Sequence, residues 1–184
     1  MAHISHQDWL VVGLRMLSQE GAAGLTIDAL TRQQQVTKGS FYHHFHNHAD
    51  FKTALLEYWE QEYTRRIVAF SETESPADLS SADPNQIFPR FLAILATESP
   101  AVEIAMRAWA LEDETVRAYV HRIDELRTAH AERWFSLVGA QHPAELARLL
   151  NMLLIGSYSV FPPLSGNRLK AIMQSFFDLA GIPV

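Results

Sequence analysis

Apolar residues in this chain recur at intervals of three and four along most of its length, and runs of strict alternation are scarce. That period belongs to helices with one buried face, so the fold class expected is all-α, with about nine helices and no sheet. A first helix, from about Ser5 to Glu20, sets Trp9, Leu10, Gly13, Leu14 and Leu17 on one side, and Gly21 stops it. Thr26 caps a short helix over 27–34, a turn at Gln35-Val36 follows, and a third helix starts at Thr37. Two short helices joined by a tight turn are a helix-turn-helix outline.

The fourth helix runs from about Asn47 to Phe70, because Phe51, Leu55, Trp59, Tyr63 and Ile67 repeat every four residues over about five turns. The polar stretch from Ser71 to Asn85, with Pro76, Pro84 and several serines, reads as a linker. Further helices are expected over 87–97, 101–111, 113–138, 143–161 and 167–180. The domain division is a head, residues 1–48, and a helical body, residues 49–184.

Composition narrows the function classes. With 48% hydrophobic and 20% charged residues the chain folds throughout, and without cysteine it has neither disulfides nor a thiolate metal site nor a cysteine nucleophile. That favours the cytoplasm. The N-terminus lacks the basic start and apolar run of a secretory signal, and the most apolar stretch, Leu146 to Phe161, is too short and too interrupted to span a membrane. There is no glycine-rich phosphate loop, metal-ligand spacing or nucleophile-base pattern, so an enzyme is not expected, nor a cofactor.

The net charge of −6 argues at first against a nucleic-acid partner. In residues 1–48, however, Arg15, Arg32 and Lys38 balance Asp8, Glu20 and Asp28, so the whole deficit lies beyond the head. Six of the nine histidines are also in the head, where phosphate favours their protonated form. In the third helix Thr37 and Ser40 can bond a base edge or a phosphate, and Lys38 carries a fixed charge. Gly39 permits close approach of the backbone, and Tyr42 and His43 can reach phosphate oxygens. Phe41 and Phe45, four apart, should turn inward with Leu14, Leu17, Leu30 and Val36.

The run Thr37-Lys38-Gly39-Ser40-Phe41-Tyr42-His43-His44-Phe45, with Gly21 and Leu25-Thr26-Ile27 upstream, closely resembles the recognition-helix pattern of TetR-family transcriptional regulators. The resemblance is sharpest over residues 9–60. It implies a homodimer on a palindromic double-stranded DNA operator, acting as a repressor that a small apolar or amphipathic effector releases. Carried over by position, DNA contacts fall on Thr26, Thr37, Lys38, Gly39, Ser40, Tyr42, His43 and His48. Two features depart from the pattern. Gln35 stands where a glycine is usual, so either Gln35 is left-handed at some cost or the turn differs. His46 and His48 replace flanking basic residues, so DNA binding should depend on pH between about 6 and 8.

In the body, Trp59, Phe88, Phe91, Met106, Trp109 and Tyr119 have the chemistry to line an effector pocket, although helical spacing suits plain core equally. Glu103 and Arg107 form an i,i+4 pair. The helix over 143–161 is apolar around most of its circumference. A second subunit would cover it through Leu146, Leu150, Leu153, Leu154, Leu169, Met173, Phe176 and Phe177; the other reading is a buried helix of a monomer. His43, His44, His46 and His48 do not make a metal site, since 43 and 44 point apart and no acidic ligand joins them. A helical dimeric adaptor that kept the head but lost DNA binding is the alternative to a regulator.

Overall fold

The computed structural model describes residues 4–72 and 100–182, with side chains described for 4–62 and 100–182. Among these residues there are eight α-helices and no strand. They are α1 His6–Glu20, α2 Ile27–Gln34, α3 Lys38–His44, α4 His48–Glu72, α5 Ala101–Ala110, α6 Glu114–Leu137, α7 Pro143–Ser159 and α8 Gly166–Leu179. The helix expected over 87–97 and most of the expected linker lie outside the described residues. The chain forms two compact units, residues 1–63 with 101–120, and residues 64–100 with 121–184.

In the first unit the helix ends are chemically specified. Ser5 caps α1 by accepting from the Asp8 amide, while Asp8 accepts from the Ser5 amide at 2.8 Å, satisfying an orphan donor on each side. Gly21, at φ +71°, closes α1, and a 3-10 turn over Ala22–Gly24 leads to α2. Thr26 caps α2 by accepting from the Ala29 amide at 3.2 Å. Asn47 accepts from the Asp50 amide at 2.9 Å at the start of α4.

The buried face of α1 is Trp9, Leu10, Gly13, Met16 and Leu17. Met16 takes the place expected of Leu14, which is only half-buried, so the helix is rotated slightly from the phase read off the sequence. Gly13 is where α4 crosses: a Cβ there would lie 2.8 Å from Phe51 Cζ and 3.0 Å from Leu55 Cδ1. Phe41, Phe45 and Phe51 pack ring against ring below α3, with Trp9 edge-on to Phe41 at 5.5 Å between centroids.

At the corner between α5 and α6, Arg117 donates to the Ala110 and Leu111 carbonyls that end α5. Asp113 caps α6, accepting from the Val116 amide at 3.1 Å, and its other oxygen receives the Lys52 ammonium of α4 at 2.7 Å. The start of α4, the helix that follows the head, is thereby tied to this corner.

In the second unit, Phe135 of α6, Ala147, Leu150 and Leu154 of α7, and Leu169, Met173 and Phe177 of α8 form one core, closed by Ile182. Near the end of α6 Leu137 is exposed, and Phe135 occupies the interior.

Candidate nucleic-acid interface

The turn between α2 and α3 sets the geometry of the site. Gln35 is left-handed, at φ +56° and ψ +41°, as its place in the turn requires. The Gln35 and Val36 amides fold back onto the Arg32 and Thr31 carbonyls, closing α2 and turning the chain into α3 within two residues. Thr31, buried in α2, satisfies its hydroxyl on the Ile27 and Asp28 carbonyls.

The α3 helix is then divided by its aromatic residues. Phe41 and Phe45 are wholly interior, so the opposite side, with Lys38, Gly39, Tyr42 and His43, faces solvent, and Ser40 sits half-buried between them. Tyr42 keeps 53% of its surface exposed, high for a phenol beside an aromatic core. Thr37 begins α3 without a side-chain capping bond, leaving its hydroxyl to other partners. A Cβ at Gly39 would meet nothing nearer than the Thr37 hydroxyl oxygen at 3.5 Å, so packing within the chain does not require glycine there.

Thr26, Lys38, Tyr42 and His48, from two helices and a cap, share one open groove of about 500 Å³ with Leu25, Ile27, Asp28 and two alanines. The His48 ring bonds through Nε2 to the Leu25 carbonyl. A neutral ring donating there offers only a lone pair at Nδ1, whereas a protonated ring has a second N–H for an anion.

Lys38 is not the unencumbered charge that its place in the motif suggests. Its ammonium lies 2.6 Å from a carboxylate oxygen of Asp28, in the first turn of α2. That hydrogen bond, then the attraction of the same carboxylate, raises the lysine's pKa above its usual value. Nothing in the motif singles Asp28 out, because an acid in a first helical turn is ordinary support for the helix dipole.

Of the proposed effector residues, Trp59 and Met106 are buried in the first unit and Trp109 and Tyr119 half-buried, while Phe88 and Phe91 lie outside the described residues. Glu103 is buried too, and Arg107 donates to it from Nε at 2.8 Å.

Of the residues assigned to a subunit interface, Leu150, Leu154, Leu169, Met173 and Phe177 are enclosed in the chain's own core, with Leu146, Leu153 and Phe176 partly buried against it. The large apolar side chains that α7 and α8 leave exposed are Leu149, Met152, Ile172 and Leu179. No group of three or more potential metal ligands gathers among the described residues, and no described helix is long and apolar enough to cross a membrane.

Residues 10–57 match the model of the bacterial regulatory proteins, tetR family. Over 66 residues, 36% of this chain and 30% of the relative, the sequence is 38% identical to the transcriptional regulator AcuR of Cereibacter sphaeroides. Over 65 residues, 35% of this chain and 33% of the relative, it is 32% identical to the HTH-type transcriptional repressor NemR of Escherichia coli K12. The match thus spans no more than 33% of either relative's length.

Likeness of fold extends much further. The structure of regulatory protein TetR from Rhodobacter sphaeroides superposes with a TM-score of 0.70 at 24% identity, covering 97% of each chain. That of reduced E. coli NemR does so at 0.67 and 18% identity, covering 96% of this chain and 92% of that one. A TetR-family transcriptional regulator from Rhodococcus sp. reaches 0.74 at 17% identity, covering 95% of this chain and 97% of that one.

Proposed function

Because the chain belongs, through residues 10–57, to the tetR family of bacterial regulatory proteins, we propose that it is a DNA-binding transcriptional regulator of the cytoplasm. In this reading it is a homodimer that represses from a palindromic operator and is released by a small apolar or amphipathic effector. The head, residues 1–48, binds DNA, and the body, residues 49–184, binds effector and partner subunit.

The observation that carries the reading is the two-sided α3. Its aromatic side is interior, and its other side offers Lys38, Gly39, Tyr42 and His43 to solvent beside Thr37. A helix whose polar face stays largely open to solvent, at the second position of a helix-turn-helix, suits insertion in a major groove. Thr26 and His48 flank it at helix N-termini, where phosphate is favoured. Effector binding falls to Trp59, Phe88, Phe91, Met106, Trp109 and Tyr119. The partner subunit packs on α7 and α8, with the exposed Leu149 and Met152 joining the half-buried Leu146, Leu153 and Phe176.

One observation favours the other reading, a dimeric adaptor with a degenerate head: the ion pair that occupies Lys38. Selection of bound duplexes from a random pool, at about pH 6 and pH 8 to bracket histidine titration, separates the two. A regulator returns a palindromic consensus, bound more tightly at the lower pH and more weakly as salt rises. An adaptor returns no consensus at either pH.

A further inference from the structure

The Lys38–Asp28 pair bears on how such a head would choose among DNA sequences, an inference that rests on the DNA-binding reading. Both side chains are largely exposed, at 60% and 62% of their surface, and an ion pair in that setting contributes little to stability. Asp28 is not needed to cap α2 either, since Thr26 already does so. The carboxylate therefore has slight value to the fold, yet it stands in the groove lined by Thr26, Lys38, Tyr42 and His48.

A duplex approaching that groove brings a row of phosphates. Lys38 can commit its whole charge to one of them only at the expense of its attraction to Asp28, and the carboxylate, paired or released, is left facing a polyanion. Contacts that depend on phosphate charge alone, the source of sequence-independent binding, are thus opposed at this position. In the major groove a carboxylate has two possible donors, the exocyclic amino groups of cytosine and adenine, which only some sequences present at a given step.

We propose that Asp28 is a specificity-determining residue: it withholds the recognition helix's lysine from arbitrary duplex DNA and concedes it only where a base amino group receives the carboxylate.

Asp28→Asn keeps the shape and removes the charge, and Asp28→Ala removes both. Binding of each is measured against the duplex selected from the random pool and against a scrambled duplex of equal length and composition, over a salt series. Thermal melts verify that the variants are folded. Expected is scrambled-duplex affinity raised about tenfold, with a salt slope steeper by about one as Lys38 gains a phosphate. The selected duplex should gain less or lose affinity, so the ratio between the two falls. Adding Lys38→Met to Asp28→Asn should erase the gain.

Unchanged affinity for both duplexes would reduce the pair to surface decoration and overturn the proposal. A parallel loss on both would make Asp28 a support that orients Lys38, and would overturn it equally. If wild type binds no duplex, the DNA reading itself falls and takes this one with it; if wild type selects a consensus and the variants behave like it, only this proposal fails.

Discussion

The α3 surface and the α7–α8 surface are uncovered in opposite ways. On α3 every large apolar side chain but the Tyr42 ring is inside, and what faces water is hydroxyl, ammonium, imidazole and bare backbone. On α7 and α8 the core is complete with Leu150, Leu154, Leu169, Met173 and Phe177, and yet Leu149, Met152, Ile172 and Leu179 still face water. The first surface suits a polar, charged partner that brings its own hydrogen bonds. The second suits a partner that buries apolar area, which another copy of the chain would supply. One chain thus carries two faces whose chemistry is complementary to different things, and substitutions should separate them.

The largest effect should come from crossing α3 from one side to the other. Phe41→Ala removes a fully buried ring that touches Trp9, Phe45 and Phe51, and should cost about 3–5 kcal/mol in denaturant unfolding. Tyr42→Ala, the next residue, should leave unfolding within about 0.5 kcal/mol while weakening DNA binding about tenfold or more. If the two variants lost stability alike, the helix would not be two-sided in the way its burial indicates.

On α7 the same contrast is read by mass. Leu150→Ala should cost about 2–5 kcal/mol of stability without changing the oligomeric state. Met152→Glu places a charge on the exposed face and should convert a dimer to a monomer at micromolar concentration in sedimentation. A dimer that survives Met152→Glu would remove this face from the interface.

What could be read in the sequence, and what could not, follows from range. Helix ends were legible because their chemistry is local: Thr26 capping α2 and Gly21 closing α1 are short-range arrangements with few alternatives. Phe41 and Phe45 were legible because α3 has a single apolar side. The α7 helix has apolar residues around most of its circumference, so periodicity carries no phase. Nothing in its sequence told Leu150 and Leu154, which are interior, from Leu149 and Met152, which are not. The Asp28–Lys38 and Lys52–Asp113 pairs were illegible for another reason. Their partners meet only after the intervening helices have packed, and each residue alone has an ordinary local explanation.

The Lys52–Asp113 pair sharpens the comparison from inside the first unit, because unlike Lys38–Asp28 it is partly sheltered, with 21% and 25% of the two side chains exposed. The Lys52 hydrogen bond, opposed by burial and assisted by the Val116 amide, holds the Asp113 carboxyl below its ordinary value. A depressed acid adds stability that is present above its unfolded pKa, about 3.9, and is lost as pH falls through the lower folded value. Lys52→Met should therefore cost about 1–2 kcal/mol near pH 7, in the range of a sheltered charged hydrogen bond. The gap from wild type should narrow as the pH drops below about 4. A gap independent of pH would mean that the lysine acts through the packing of its methylenes instead.

The smallest effect tests the turn that sets α3 against α2. Gln35 holds φ +56° with a Cβ that the left-handed region disfavours, and it is exposed, so its side chain has little packing to lose. Gln35→Gly should relieve up to about 1 kcal/mol of that strain, partly offset by the extra entropy glycine gains when unfolded. Calorimetry would then show the melting temperature unchanged or slightly raised, with DNA affinity unaltered, because the turn angles do not change. A clear loss of stability would mean that the Gln35 side chain makes a contact that outweighs its backbone strain. A loss of affinity at equal stability would make Gln35 itself part of the surface that meets DNA, extending the polar face of α3 back into the turn.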